Sequence, residues 1–242
     1  MSKTTGVVVR ANDLIRASHS LKLSEQKLMY LVLLQVQPNQ LEYMVSTTSY
    51  SAAYELTRQA GYQALSEASE SLFNQTLVIS EGKGKRRLHW VSSVYYANDL
   101  TEIKIRFTNE IMPFLVELKE RFTIITIEQI KQFKSSHTLR IYEWCKSHES
   151  QGGFTISLKE IKDRLCLSDE YRQDNVQSKI IKPAIKQINL GDLVVSYEVI
   201  KQGVQVQGYR FSVSQPVKAK TAKPNKTTKA ELHSVPPSFK LN

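Results

Sequence analysis

One order of elements is written twice into this chain of 242 residues, and two copies of one supersecondary unit constrain the fold more than any compositional average. In the first copy Ser24 is placed to cap a helix running through Leu28, Met29, Leu31, Val32 and Val36, whose spacing gives one apolar face. A short strand, Leu41–Val45, follows. Thr47 or Thr48 can cap a short helix through Tyr54, and Thr57 opens a longer one ending near Asn74. The β-branched run Leu77-Val78-Ile79, a glycine-rich basic turn from Glu81 to Arg87 and a strand over Leu88–Tyr96 complete the unit. Thr101–Phe107 reads as a third strand, Asn109–Leu118 as a helix interrupted at Pro113, and Thr126–Phe133 as a connecting helix.

The second copy begins with a helix over Thr138–Lys146 that stops at the breaker pair Gly152-Gly153. Phe154-Thr155-Ile156 is the short strand. Ser157 caps a helix through Ile161 and Leu165, with Glu160 at the position of a capping box. A longer helix spans Asn175–Asn189, and two strands, Leu193–Ile200 and Val204–Val213, flank a tight Lys201-Gln202-Gly203 turn. Helix, helix and hairpin in this order is the winged helix-turn-helix, whose second helix enters a major groove while the hairpin reaches the neighbouring backbone. The same order also occurs in α+β domains that never touch DNA. The expected class is therefore α+β, with two tandem winged-helix domains at 1–133 and 134–215 and a disordered basic tail at 216–242.

Charge bears on which use applies. Thirty-three Lys and Arg against twenty-three Asp and Glu leave a surplus of +10, suited to nucleic acid or an anionic membrane. Half of that surplus sits in the tail, where Lys218, Lys220, Lys223, Lys226, Lys229 and Lys240 face only Glu231. Positive charge in the folded part must therefore be clustered to matter. No apolar run approaches the length of a membrane span, and Met1-Ser2-Lys3-Thr4-Thr5 lacks the apolar core of a signal peptide, so a cytosolic protein with no membrane contact is expected. Cys145 and Cys166 lack Cys-x-x-Cys spacing and read as buried small side chains.

At 100° per residue the two long helices differ in what they turn to solvent. In the second copy Val176, Ile180, Ala184 and Ile188 form one stripe, widened by Ile181 and Ile185. Asn175, Lys179, Lys182 and Lys186 fall opposite, with Ser178 at their edge and Arg172 just ahead of the helix. Lysines can neutralise phosphate or donate to guanine, and asparagine can pair with adenine; the alternative is a merely solvated basic face. Pro183, inside this helix, predicts a kink. In the first copy Tyr62, Leu65, Ser69, Leu72 and Phe73 point inward, while Gln63, Glu67, Glu70 and Asn74 point out. Two carboxylates there would face phosphates, leaving Lys83, Lys85, Arg86 and Arg87 of the turn, together with Lys201 of the other turn, as wing cations. A plain solvated loop is the competing reading of the Lys83–Arg87 turn.

The phrases Val8-Val9-Arg10-Ala11-Asn12-Asp13-Leu14-Ile15-Arg16-Ala17 and Leu23-Ser24-Glu25-Gln26-Lys27-Leu28 resemble the opening of the iteron-binding plasmid replication initiators. Arg121-Phe122-Thr123, Leu139-Arg140-Ile141-Tyr142-Glu143 and Pro183-Ala184-Ile185-Lys186-Gln187-Ile188-Asn189 carry the same resemblance, which covers about residues 7–213. It implies two winged-helix domains that bind origin iterons in double-stranded DNA as a monomer and help open the duplex. It also implies a homodimer in equilibrium with that monomer, which represses its own gene at an inverted repeat. The host replication initiator and the replicative helicase are the implied protein partners. By family pattern the first domain dimerises and the second reads the iteron. Many members place arginines early in the reading helix, where this chain has Gln177, Ser178 and Lys179, so the family's base preferences do not carry over.

No catalytic site, metal site or cofactor is expected. A rolling-circle initiator needs a His-x-His pair, which none of His19, His89, His137, His148 and His233 forms. Gly82-Lys83-Gly84-Lys85 does not fit a phosphate-binding loop of the Gly-x-x-x-x-Gly-Lys-Ser/Thr kind. A winged-helix transcriptional repressor without an initiation role fits the same residues; direct repeats beside the gene favour initiation, a lone inverted repeat repression.

Overall fold

The computed structural model describes residues 7–11, 18–19, 21–37, 39–81, 84–99, 101–112, 115 and 122–216. Lys83, half of the 109–118 segment, including Pro113, and the tail beyond 216 lie outside them. The first domain begins with strands β1 (Val7–Ala11) and β2 (Ser18–His19) and helix α1 (Leu23–Leu33). It continues with β3 (Glu42–Ser46), α2 (Thr47–Tyr54), α3 (Arg58–Phe73), β4 (Thr76–Glu81), β5 (Gly84–His89), β6 (Val91–Tyr96) and β7 (Glu102–Phe107). Next come β8 (Phe122–Thr126), which pairs back onto β1, the short helix α4 (Ile127–Ile130) and α5 (Ser136–Ser147).

The second domain adds β9 (Gly153–Ser157), α6 (Leu158–Arg164), the long helix α7 at 173–188, β10 (Val194–Gln202) and β11 (Gln205–Ser214). Its sheet has the order β10-β11-β9. The first domain's equivalent sheet has the order β3-β7-β6. Read from the helix-preceding strand, both run first, third, second, so the winged-helix unit is present twice. A single contiguous apolar core, from Leu21 through Val213, runs beneath both.

That topology corrects one expectation. The turn 81–87 and the strand Leu88–Tyr96 read in sequence as the wing of the first domain, but β4 and β5 pair with β2 in a separate sheet. The hairpin equivalent to β10–β11 is β6–β7, joined through Asn98 and Asp99. The β4–β5 hairpin is an insertion ahead of it. Trp90, fully buried, is the physical reason: it drops the chain into the core between β5 and β6 as the backbone leaves one sheet for the other. Lys85, Arg86 and Arg87 therefore lie on a strand, not in a loop; Glu81 pairs with Gly84, which leaves a two-residue connection.

Capping chemistry follows the sequence with shifts. Thr57 and Ser157 accept from Ala60 N and Glu160 N as expected (3.3 and 3.1 Å). Ser46, not Thr47 or Thr48, caps α2 by accepting from Ser49 N at 3.0 Å. Ser24 lies inside α1, whose cap position is Lys22; the Lys22 N–H donates to Glu25 Oε2 at 2.6 Å. Glu160 does not close the capping box: its carboxylate is taken by Arg164. Phe73 faces solvent at the end of α3, whereas Leu65, Ser69 and Leu72 are buried as the spacing requires. Cys145 is buried, but Cys166 is exposed at a left-handed turn with φ 52°.

Gly153 cannot be replaced cheaply. Its φ is +145°, and an added Cβ would stand 2.1 Å from the Phe211 carbonyl oxygen across the β9–β11 pair. Gly153→Ala is expected to lower stability by about 2–4 kcal/mol, combining backbone strain with a forced separation of the strands. Chemical denaturation measures it, and a loss below about 1 kcal/mol would contradict the close approach.

Candidate nucleic-acid interface

Helix α7 is one continuous helix in three parts: Gln173–Asn175, a π segment Val176–Ile181 and Lys182–Ile188. Proline at 183 has no N–H to give, and the chain absorbs the missing bond by widening the preceding turn: the Lys182 N–H reaches back to Gln177 O. The anticipated distortion thus takes the form of a π turn, a feature that recurs at functional positions. The inward stripe is as spaced: Val176, Ile180, Ile181, Ala184, Ile185 and Ile188 are all buried. Ser178, Lys179, Lys182 and Lys186 are exposed, and Asn175 is half-buried at their N-terminal end.

Near this end two polar contacts restrict the expected residues. Arg172 forms a two-pronged ion pair with Asp174 (3.1 and 3.0 Å), and the guanidinium holds that carboxyl below its ordinary range. Ser178 donates its hydroxyl to Asp174 O at 2.7 Å. An exposed pair of this kind is screened by solvent and holds weakly, so a phosphate can displace Asp174 from Arg172. Lys201 is exposed at the end of β10, one strand away. The turn itself falls one residue later than the spacing predicts, since Gln202 pairs with Gln205 and leaves Gly203-Val204 as the connection.

The opposite end of α7 is fastened. Asn189 receives the Val195 N–H at 2.7 Å and returns a hydrogen bond to Val195 O at 2.9 Å. Asp192 just beyond accepts from Gln129 Nε2 (2.6 Å), the Tyr142 hydroxyl (3.0 Å) and Lys146 Nζ (2.9 Å). Burial opposes the charge on Lys146, but Glu149 and Asp192 outweigh it and raise its pKa. The helix is thereby tied to α4 and α5 behind it. Sequence reasoning missed this cluster, because Asp192 sits in an unpatterned Gly-Asp turn.

Helix α5 carries a second unanticipated feature. Arg140 and Glu143, 2% and 0% exposed, form an ion pair at 2.8 Å, and the Tyr30 hydroxyl of α1 donates to the same carboxylate at 2.6 Å. The link joins α1 to α5 through the buried interior. Two charged residues three apart inside the apolar run Leu139–Cys145 were its available signal.

The first domain presents a different surface. The outward face of α3 carries Gln63, Glu67, Glu70 and Asn74, all exposed, with Gln63 donating to Glu67 at 2.9 Å. Lys85, Arg86 and Arg87 are exposed along β5. The structure brings these three together on the inserted hairpin and the α7 lysines together on the second domain. Among the described residues no group of three or more His, Cys, Asp or Glu is placed to hold a metal ion, and no helix is long and apolar enough to cross a membrane.

Residues 7–146 match the family described as "Initiator Replication protein, WH1", and residues 157–213 match "Initiator Rep protein, WH2". A "Replication initiation protein" of Escherichia coli is 28% identical over 200 residues, covering 76% of this chain. The chain spans 62% of that relative's length. An "Uncharacterized 27.6 kDa protein" of the same organism is 19% identical over 201 residues, covering 75% of this chain and 84% of its own. In shape the chain is similar to the Pi initiator protein, solved in complex with iteron DNA, with a TM-score of 0.72 at 16% identity over 90% of this chain and 100% of that one.

Proposed function

Since the chain belongs to the initiator replication protein family, we propose that it initiates plasmid replication in the bacterial cytoplasm by binding iteron repeats at the origin. It acts by binding alone: it helps open the duplex and recruits the host initiator and the replicative helicase. Residues 134–215 form the principal reading domain and residues 1–133 the dimerising domain, whose dimer represses its own gene. Bases are read by α7 through Asn175, Ser178, Lys179, Lys182 and Lys186, the three lysines also neutralising the phosphates that line the groove, with Arg172 and Lys201 on flanking phosphates. The inserted β4–β5 hairpin adds backbone contacts through Lys85, Arg86, Arg87 and Lys83, the last of which lies outside the described residues.

The observation that carries this reading is the division of α7: six apolar side chains buried on one side, three lysines exposed on the other. Such a helix can lie in a major groove without unburying its core face. The carboxylates on the corresponding face of α3 make that helix unsuited to phosphate, which fits a protein-contact role for the first domain. Footprinting of Lys179→Ala and Lys182→Ala proteins on the repeats tests the assignment. Each variant is expected to lose protection of particular bases; full, specific protection by both would overturn it.

A further inference from the structure

The β10–β11 hairpin is supported only at its base. β9 pairs with β11 from Gly208 to Ser212, so from Lys201 to Gln207 the hairpin runs on as a two-stranded ribbon beyond a bulge at Ile200/Lys201. At its tip Gly203 has φ +61°, and a Cβ there would meet nothing within 4 Å. Val204 beside it is 92% exposed, the highest value among the exposed large hydrophobics of the described residues. Lys201, Gln202, Gln205 and Gln207 surround it, all exposed and none acidic.

Turn geometry does not ask for a valine. A two-residue connection with glycine first is served best by Asn, Asp or Ser in the second place, and a β-branched apolar residue there gains nothing in water. The ribbon is also aimed. Val206 N donates to Gln173 Oε1 (3.3 Å), and Gln177 Nε2 donates to the Tyr197 hydroxyl of β10 (3.3 Å). The tip is thus held beside the N-terminal turns of α7, the end that a groove-lying helix presents to base edges.

We propose that this ribbon reads the minor groove next to the site read by α7, with Val204 against the groove floor and Gln202 and Gln205 donating to acceptors there. The inference rests on α7 being the base reader. In the minor groove A·T pairs present only acceptors, whereas G·C adds the guanine amino group. Amide NH2 groups satisfy the acceptors, while an apolar side chain on the floor leaves the guanine donor without a partner. The ribbon therefore selects A·T pairs at a position α7 does not touch.

The test uses the duplex that the full chain enriches most strongly from a random-sequence pool, probed with dimethyl sulfate, which methylates guanine N7 in the major groove and adenine N3 in the minor groove. The full chain is expected to protect adenine N3 beside the guanines covered by α7. A Val204→Gly, Gln205→Ala protein is expected to lose that protection while guanine N7 stays covered. Replacing those A·T pairs by G·C should weaken binding of the unaltered chain about tenfold, and inosine·C, which lacks the amino group, should restore it. Unprotected adenine N3, protection that survives in the variant, or inosine·C behaving as G·C would each overturn the proposal. A selection that enriches no sequence would instead overturn the assignment of α7 on which it stands.

Discussion

Glu143→Ala is expected to lower the unfolding free energy by about 3–5 kcal/mol, a large share of the stability of a chain this size. The reason is the company it keeps. The carboxylate is fully buried, paired with an equally buried Arg140 and receiving the Tyr30 hydroxyl from α1. Removing it takes a charged acceptor from a buried guanidinium and a buried phenol, and neither gains water in place of the carboxylate. Arg140→Met with Glu143→Leu removes both charges and is expected to be far milder. Tyr30→Phe, which leaves the ion pair intact, should sit near about 1–2 kcal/mol. Urea unfolding with an unchanged slope gives these values. A Glu143→Ala loss below about 1 kcal/mol would contradict the burial of the pair.

Alanine at Lys179, Lys182 and Lys186 together is expected to flatten the dependence of log K on log salt by about 2.7, since roughly 0.9 counterion is released for each phosphate that a lysine neutralises. All three side chains are exposed and none holds up the core, so the unfolding transition should stay in place while binding weakens most at low salt. An unchanged salt slope would mean that these lysines face solvent in the complex. The comparison with Glu143→Ala is informative because one change acts on the scaffold and the other on the surface it presents.

Helix α7 was legible because its information is periodic. Ile180, Ala184 and Ile188 recur at helical spacing, and the lysines recur out of phase, so the buried and exposed sides follow from numbering alone. A π turn at Val176–Ile181 widens that helix without moving any lysine into the core, which is why a 100° rule survived it. The inserted hairpin was not legible. Leu88–Tyr96 alternates well enough to read as one strand, and only tertiary structure shows that buried Trp90 divides it between two sheets. Positions fixed by partners distant in sequence were hidden for the same reason: Tyr30 meets Glu143, and Gln129 meets Asp192, across separations no local pattern spans. Cys166, expected inside, sits at an exposed left-handed turn that its residue type does not announce.

The most direct measurement is autonomous replication of a circular DNA that carries only this gene, its flanking DNA and a selectable marker. It is expected to be maintained in a bacterial host, and to disappear when Lys179, Lys182 and Lys186 are all alanine while the variant protein still accumulates folded. Failure of the unaltered circle to replicate, or undiminished replication with the three lysines removed, would contradict the account.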